Sequence, residues 1–252
     1  LSEVARIQQV LVVWKHGRWE LHYVCNVEQA VDKPGDEYAG VALGGGNLAA
    51  LALPTEFVLY PGNSIHEDLH YFLSRQENAS GSPATTDTQA QKESTLTRRQ
   101  THYYHTLTRT IIETCANQGV GTLAVTWPSP VVKQSAGTKN RFHPFERLFQ
   151  YLQYKGESHG VDVVKHNSER VQQRCSRCGT TPEVTNHDTH GLYSCEECGL
   201  VGNRECNRAE ASRQYLTPNP HTADRSNGCV AQPSVHLFDE ASGAFAPQQR
   251  VS

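Results

Sequence analysis

The sequence predicts an α/β protein built on a mixed sheet, with a cysteine-rich ribbon inserted ahead of its last helix. Three observations carry that expectation. Short apolar runs separated by Gly and Pro turns occupy residues 40–62, amphipathic helical spacing alternates with buried strands over residues 65–164, and two C-x2-C pairs fall at Cys175/Cys178 and Cys195/Cys198.

VLVVWKHGRWELHYVCNVE (Val10 to Glu28) alternates apolar and polar residues about a His-Gly turn, which predicts a β-hairpin. Asp32–Asp36 (DKPGD) is a linker. GVALGGGNLAALAL (40–53) supplies two strands and Glu56–Tyr60 a third, stopped by Pro61-Gly62, so an antiparallel meander is expected. Gly44-Gly45-Gly46 is not a phosphate cradle, since no G-K-[ST] follows and no helix begins there. A tight turn remains.

Residues 65–75 predict a helix, and 78–92 (NASGSPATTDTQAQK), poor in apolar residues, a flexible loop. Helical spacing returns over 95–117 with Tyr104, Leu107, Ile111 and Cys115 on one face, ending at Gly119 and Gly121. Leu123–Trp127 predicts a buried strand stopped by Pro128 and Pro130. A further helix from about Pro144 carries Phe145, Leu148, Phe149 and Leu152, ends at Gly160, and is followed by a strand at 161–164. The aromatic face of Phe145, Phe149 and Tyr154 is expected to be core, and His102 and His105 to lie on a helix surface. A last helix spans about 207–215, and the Pro/Asn/Ser/Gly-rich stretch beyond Leu216 is expected to be poorly ordered.

At 252 residues the chain is long enough for a substantial core. No stretch reaches the 18 or so consecutive apolar residues of a membrane span, and the start, LSEVARIQQV, lacks a secretion signal. No membrane partner is expected, and a soluble, cytoplasmic protein is. The chain contains no Met and begins at Leu1, so it is expected to be the C-terminal portion of something longer. The net charge of -3 hides an asymmetry. Between Val131 and Arg177, Lys133, Lys139, Arg141, Arg147, Lys155, Lys165, Arg170, Arg174 and Arg177 face only Glu146, Glu157, Asp162 and Glu169. A basic segment in an acidic chain points to a polyanionic partner, against the plainer reading of a solvated helix face.

Of the eight cysteines, Cys25, Cys115, Cys206 and Cys229 are scattered and read as core or incidental thiols. RCSRCG (174–179) and SCEECG (194–199) give C-x2-C, sixteen intervening residues, and C-x2-C. Such pairs form two knuckles whose four thiolates close a tetrahedral structural zinc site. Gly179 and Gly199 relieve the turns, and His187 and His190 are alternative ligands. A redox C-x-x-C needs only one pair in a thioredoxin-like setting. Arg174, Arg177 and Arg204, on or beside this ribbon, are candidates to meet phosphates, opposed on one face by Glu196 and Glu197.

A meander followed by helix, strand, helix, strand, ribbon and helix is the order of an RNase H-like (RuvC-type) mixed sheet with helices and an inserted zinc ribbon. The expected division is 1–36, terminal hairpin of an N-terminal β-domain plus linker; 37–168, RuvC-like core; 169–202, zinc ribbon; 203–215, last RuvC-like helix; and 216–252, tail.

From about Val10 to Tyr215 the chain also resembles the C-terminal half of the OrfB/TnpB proteins of insertion sequences, relatives of the type V CRISPR nucleases. The resemblance rests on GVALGGGNLAAL (40–51), GTLAVTW (121–127), FERLFQYLQYKGESHGVDV (145–163), CSRCG (175–179), LYSCEECG (192–199) and NRECNRA (203–209), in the family's order. The tail SNGCVAQPSVHLFD (226–239) is similar to archaeal members.

The resemblance implies RNA-guided DNA cleavage in a transposition context, by a RuvC-like site in which three carboxylates hold two divalent ions. The family pattern G-I-D-L-G-x-x-N-L-A has Ala42 at its aspartate here. The E-D-L or G-D-L pattern that ends the later strand is Thr126-Trp127-Pro128, and D-x-N-x-A is Glu205-Cys206-Asn207-Arg208-Ala209. Asp36, Glu37 and Glu56 lie outside the matching positions, and Val171-Gln172 stands where the family has T-S before the first knuckle.

The expectation is a nuclease-dead nucleic-acid binder, with one structural zinc and no productively bound Mg2+. DNA and a guide RNA are its expected partners, and Lys139, Arg141, Arg147, Lys155, Arg174, Arg177 and Arg204 are the candidate contacts. Glu205 is expected to be exposed and alone. The alternatives are an active endonuclease with rearranged ligands, a non-functional transposon remnant, or an unrelated zinc-ribbon interaction module, the last disfavoured by the motif order. The family's guide and target recognition draws partly on N-terminal regions, of which only the Val10–Glu28 hairpin is expected here.

Overall fold

The computed structural model describes residues 6–15, 17–26, 31–79, 86–127, 145–166, 173–181, 191–217 and 232–248, which fall into two compact units. The first comprises residues 1–31 and 65–102. Its strands β1 (Arg6–Lys15) and β2 (Arg18–Asn26) pair antiparallel as the predicted hairpin, with Trp14 opposite Trp19 and the two rings 5.1 Å apart. Apolar side chains on both strands, Val12, Trp14, Trp19, Leu21 and Tyr23 among them, are exposed.

Two helices pass through this unit, α1 (Asn63–Ala79) and α2 (Thr86–Asn117). Arg99 donates to Asp68 at 2.6 Å and ties them together. Helix occupies both ends of the loop expected at 78–92, since α1 runs to Ala79 and Thr86 already begins α2; residues 80–85 lie outside the described residues. Thr, Gln, Lys and Glu are poor markers of a loop, because their helix propensities allow a polar stretch to be helical.

The second unit, residues 32–64 and 103–252, is built on a seven-stranded mixed sheet. Strands β3 (Glu37–Leu43), β4 (Asn47–Ala52) and β5 (Phe57–Pro61) form the antiparallel meander. On the other side of β3 lie β6 (Val120–Thr126) and then β7 (Asp162–Lys165), both parallel to their neighbours. The crossovers that parallel pairing demands pass through α2 and through α3 (Phe145–Glu157). Residues 39–43 and 48–53 are fully buried, as the continuous apolar runs of a central strand pair require.

One helix, α4 (Arg204–Leu216), packs directly on β3 and β4. Gly40 makes this possible, since a Cβ there would fall on the Ala209 carbonyl oxygen. Asn203 caps the helix by accepting from the Cys206 N–H at 3.1 Å. Glu210 and Arg213 form a two-armed ion pair at 2.8 and 2.9 Å, with both side chains almost wholly buried.

The tail departs from expectation. Strands β10 (Ser234–Asp239) and β11 (Ala244–Pro247) form a hairpin that extends the sheet beyond β5, with β10 parallel to it. Phe245 packs edge-on against Tyr60 and Tyr103, and Phe238 lies 4.9 Å from Tyr103. Two phenylalanines among Ser, Pro and Gly anchor what the composition alone reads as unstructured. No helix among the described residues is long and apolar enough to cross a membrane.

Candidate metal centre and sheet-end site

Strands β8 (Leu192–Ser194) and β9 (Val201–Asn203) flank the second cysteine pair and run straight into α4. The two knuckles have the same construction. Cys175 N–H donates to the Thr180 carbonyl at 2.8 Å and Gly179 N–H to the Cys175 carbonyl at 2.9 Å. Cys195, Leu200 and Gly199 repeat the pattern at 2.9 and 2.9 Å. Gly179 and Gly199 adopt φ of 77° and 70°, the left-handed conformation the sequence assigned to them.

All four sulfurs lie within 4.8 Å of one another, and the Cys175–Cys198 and Cys178–Cys195 separations are both 3.6 Å. A tetrahedron with Zn–S bonds of about 2.3 Å has edges of about 3.8 Å. The set therefore fits a zinc ribbon. His187 and His190 lie outside the described residues.

The cysteine titrations respond to the same crowding. Burial pushes the Cys175 thiol up to about 12. Burial also acts upward on Cys178, but hydrogen bonding from Thr180 and the neighbouring cysteines carries that thiol down to about 6. Among the described residues, these four are the group of His, Cys, Asp or Glu side chains able to share an ion.

The first knuckle is fastened to α4 by side chains. Asn207, fully buried, accepts from the Ser176 N–H at 2.9 Å and donates to the Arg174 carbonyl at 2.9 Å. Gln214 donates to the Ser176 carbonyl at 2.6 Å. The sequence marked Asn207 only as part of a motif, and its bridging role needs the fold.

At the C-terminal end of the sheet, Ala42 on β3 and Thr126 on β6 are register partners. Ala42 packs against Cys206 and Ala209 of α4 in a cluster with Ala50, Ala52, Phe57 and Leu59. The Thr126 hydroxyl is buried without a hydrogen-bond partner. Glu205 is brought to the same place, because a Cβ on Gly44 would lie 3.3 Å from its Cγ and 3.7 Å from its Oε1. The three positions singled out in the sequence thus converge on the first turn of α4. Glu205 is not exposed as expected: it is 7% accessible, with Oε1 3.7 Å from an Arg204 terminal nitrogen.

Among the described basic candidates, one is withdrawn from the surface. Lys155 is buried, its ammonium donating to the His105 carbonyl and the Thr108 hydroxyl, both at 2.6 Å, which removes it from any solvent-facing patch. Burial also lowers its pKa to about 8, with the Arg109 charge adding to the effect. Arg147 donates to the Tyr151 hydroxyl at 2.8 Å. Tyr151 in turn stacks on His105 at 4.1 Å, so His105 is a packing residue rather than bare helix surface. Phe145 and Phe149 are core, but Tyr154 is half exposed. Arg177 donates across the ribbon to the Cys198 carbonyl at 3.2 Å, and the Arg174 guanidinium lies beside Gly179. Lys139 and Arg141, and Val171-Gln172, lie outside the described residues.

Two family models match this chain in succession: a probable transposase of the OrfB_IS605 type over residues 22–131, and the TNB domain of Cas12f1-like proteins over residues 145–211. Over these two segments the chain is similar to the OrfB/TnpB and Cas12f1-like proteins. Among curated relatives it is similar to the CRISPR-associated endodeoxyribonuclease Cas12f1 of Syntrophomonas palmitatica, 28% identical over 40% of this chain and 20% of that one. It is also similar to the TnpB-like protein L79 of Acanthamoeba polyphaga mimivirus, 30% identical over 32% of this chain and 15% of the relative.

A solved Cas12f1–sgRNA–target DNA complex matches with a TM-score of 0.58 at 16% identity, covering 81% of this chain and 55% of the other. A Cas12f ternary complex matches at 0.54 and 16% identity, covering 79% and 42%. The fold of this chain is thus the RuvC-like nuclease fold, although the chain matches only a quarter or less of the curated relatives named and about half of the Cas12f1 structure.

Proposed function

We propose that this OrfB/TnpB-like protein binds nucleic acid through a RuvC-like core and a zinc-loaded ribbon without cutting DNA. One observation carries the proposal: Ala42 and Thr126 stand side by side at the sheet end, next to the only carboxylate of the set, Glu205. Hard divalent ions such as Mg2+ take oxygen ligands, and a two-ion site needs carboxylates that bridge and flank the pair. A methyl group, a buried hydroxyl and a carboxylate already facing Arg204 do not supply them, so no catalytic step is routed through such ions here.

The partners that suit this reading are DNA and a guide RNA. They are supported by the basic run at residues 131–177 and by the matched Cas12f1 structure, which is described as a complex with sgRNA and target DNA. The same reading divides the chain into 1–36, 37–168, 169–202, 203–215 and 216–252. The test is to purify the protein with whatever nucleic acid it retains, sequence that material, and assay cleavage with Mg2+ and Mn2+. Retained RNA with no cleavage is the expected result. Metal-dependent cleavage abolished by Glu205→Ala would establish instead an active nuclease with rearranged ligands.

A further inference from the structure

The C-terminal hairpin is a self-contained element laid along the edge of the sheet. β10 and β11 match each other at four register pairs, from His236–Pro247 to Asp239–Ala244. Their turn closes on its own residues. The Asp239 carboxylate accepts from the Ala241 and Ser242 N–H groups at 3.1 and 3.2 Å, and Gly243, at a φ of 65°, donates to the Asp239 carbonyl at 2.8 Å. β10 meets β5 at two register pairs, Ser234–Val58 and Val235–Leu59. No residue of either hairpin strand is fully buried, whereas Phe57, Val58, Leu59 and Tyr60 of β5 all are.

What β5 offers the hairpin is an edge and two rings. An edge strand presents backbone N–H and C=O groups ready to pair with another extended segment. Beside this edge stand Tyr60 of β5 and Tyr103 of α2, the latter fixed by donating its hydroxyl to the Pro61 carbonyl at 2.7 Å. The hairpin brings three rings to them. His236 lies 5.7 Å from Tyr60, Phe238 4.9 Å from Tyr103, and Phe245 5.2 Å from both tyrosines. Val235 packs against the cluster that contains Phe57 and Leu59. Backbone pairing at a sheet edge, with side chains seated beside it, is the means by which sheets recognise extended peptides.

We propose that the outer edge of β5, together with Tyr60 and Tyr103, is a strand-receiving site and that the C-terminal hairpin is its tethered peptide ligand. The ligand class is an extended segment that pairs parallel to β5 and sets phenylalanines against the two tyrosines. Residues 218–231 link the hairpin to α4, and a tether of this length holds a ligand at an effective concentration of about a millimolar. A Kd of about 0.1 mM for the free peptide is then enough to keep the site about nine-tenths occupied. The hairpin thereby shuts the sheet edge and braces α2 at Tyr103 without being part of the core. This docking is independent of nucleic-acid binding and of cleavage.

The experiment replaces part of residues 218–231 in the full, zinc-containing chain with a protease recognition sequence. Binding of a fluorescent peptide of residues 232–248 is then read by anisotropy before and after cutting. The cut chain should bind the peptide with a Kd of about 0.1 mM or tighter, and the uncut chain about tenfold more weakly, because the tethered copy occupies the site. A peptide carrying Phe245→Ala should bind about tenfold more weakly than the unaltered peptide. That change is made in the peptide, so no folding defect of the chain can mimic it.

Hydrogen exchange places the peptide on the chain. Exchange at residues 57–61 should speed up on cutting and slow again when the peptide is added. No binding to the cut chain, equal binding to cut and uncut chains, or exchange at 57–61 that responds to neither step would each overturn the proposal. A cut tail that stays bound and is never displaced by the peptide would overturn it as well, since the hairpin would then be a permanent part of the core.

Discussion

The ribbon and the sheet end are both places where side chains from separate segments converge, yet their donors differ in kind. In the ribbon, four soft thiolates arrive in two matched knuckles, each closed by a left-handed glycine, with sulfur separations suited to one tetrahedral ion. At the sheet end, β3, β6 and α4 converge as tightly, but the side chains they bring are a methyl, a hydroxyl and one carboxylate flanked by guanidinium groups. On the proposed reading, the frame of a site is no guide to its ligand set. Backbone packing around Gly40 and Gly44 needs only small residues and register, whereas ion binding needs specific atoms.

The comparison breaks most completely at the ribbon. Cys175→Ser or Cys198→Ser should take bound zinc from about one per chain to none by elemental analysis, forfeiting the 10 kcal/mol or more that such a site contributes to local folding. The seven-stranded sheet should survive in far-UV circular dichroism. Zinc retained in both variants would mean that the ion, if any, is held elsewhere.

At the sheet end, Ala42→Asp combined with Thr126→Glu buries two carboxylates and should lower stability by about 4 kcal/mol in metal-free buffer. Mg2+ should return part of that loss as a rise in Tm, while the unaltered chain gains nothing. A double variant indifferent to Mg2+ would show that the three positions do not converge closely enough to share ions.

The frame itself is tested by Gly40→Val. Its side chain must displace α4 from β3, costing about 3 kcal/mol in chemical denaturation. The joint between the two regions is tested by Asn207→Ala, which leaves the Ser176 N–H and Arg174 carbonyl unsatisfied. A loss of about 2 kcal/mol with zinc content unchanged is expected. Loss of the metal as well would make the ribbon dependent on its dock.

The smallest effect lies away from both regions. Lys155 holds its proton less firmly when folded, with a pKa of about 8 against 10.5 unfolded. Between those values the unfolded chain binds more protons, so this group's contribution to stability rises with pH across that window. The difference in unfolding free energy between the unaltered chain and Lys155→Met should therefore grow in favour of the former from pH 8 to 10.

Much of the fold was legible in the residues. The meander, the Phe145 helix and the ribbon stand where periodicity and turn residues placed them, and the buried strand expected at Leu123–Trp127 is observed three residues earlier at its start, at Val120–Thr126. The misses share a cause. The start of α2 is polar in sequence and the β10–β11 hairpin is anchored by two rings, whereas composition weighs averages rather than single anchors such as Phe238 and Phe245. Lys155 read as a surface cation because charge in sequence says nothing of what α2 places over it.

The sequence by itself determined the cysteine ligands and their glycines, since a C-x2-C knuckle is set by covalent spacing within a few residues. Motif order also singled out Ala42, Thr126 and Glu205. Only the tertiary structure decided that Ala42 and Thr126 are neighbours, that Glu205 is buried beside them rather than exposed, and that Arg204 and Arg208 flank it with unpaired nitrogens. Those facts depend on parallel pairing and helix docking between segments far apart in the chain. Long-range register is set by the packing of the whole core, and no local stretch of sequence encodes it.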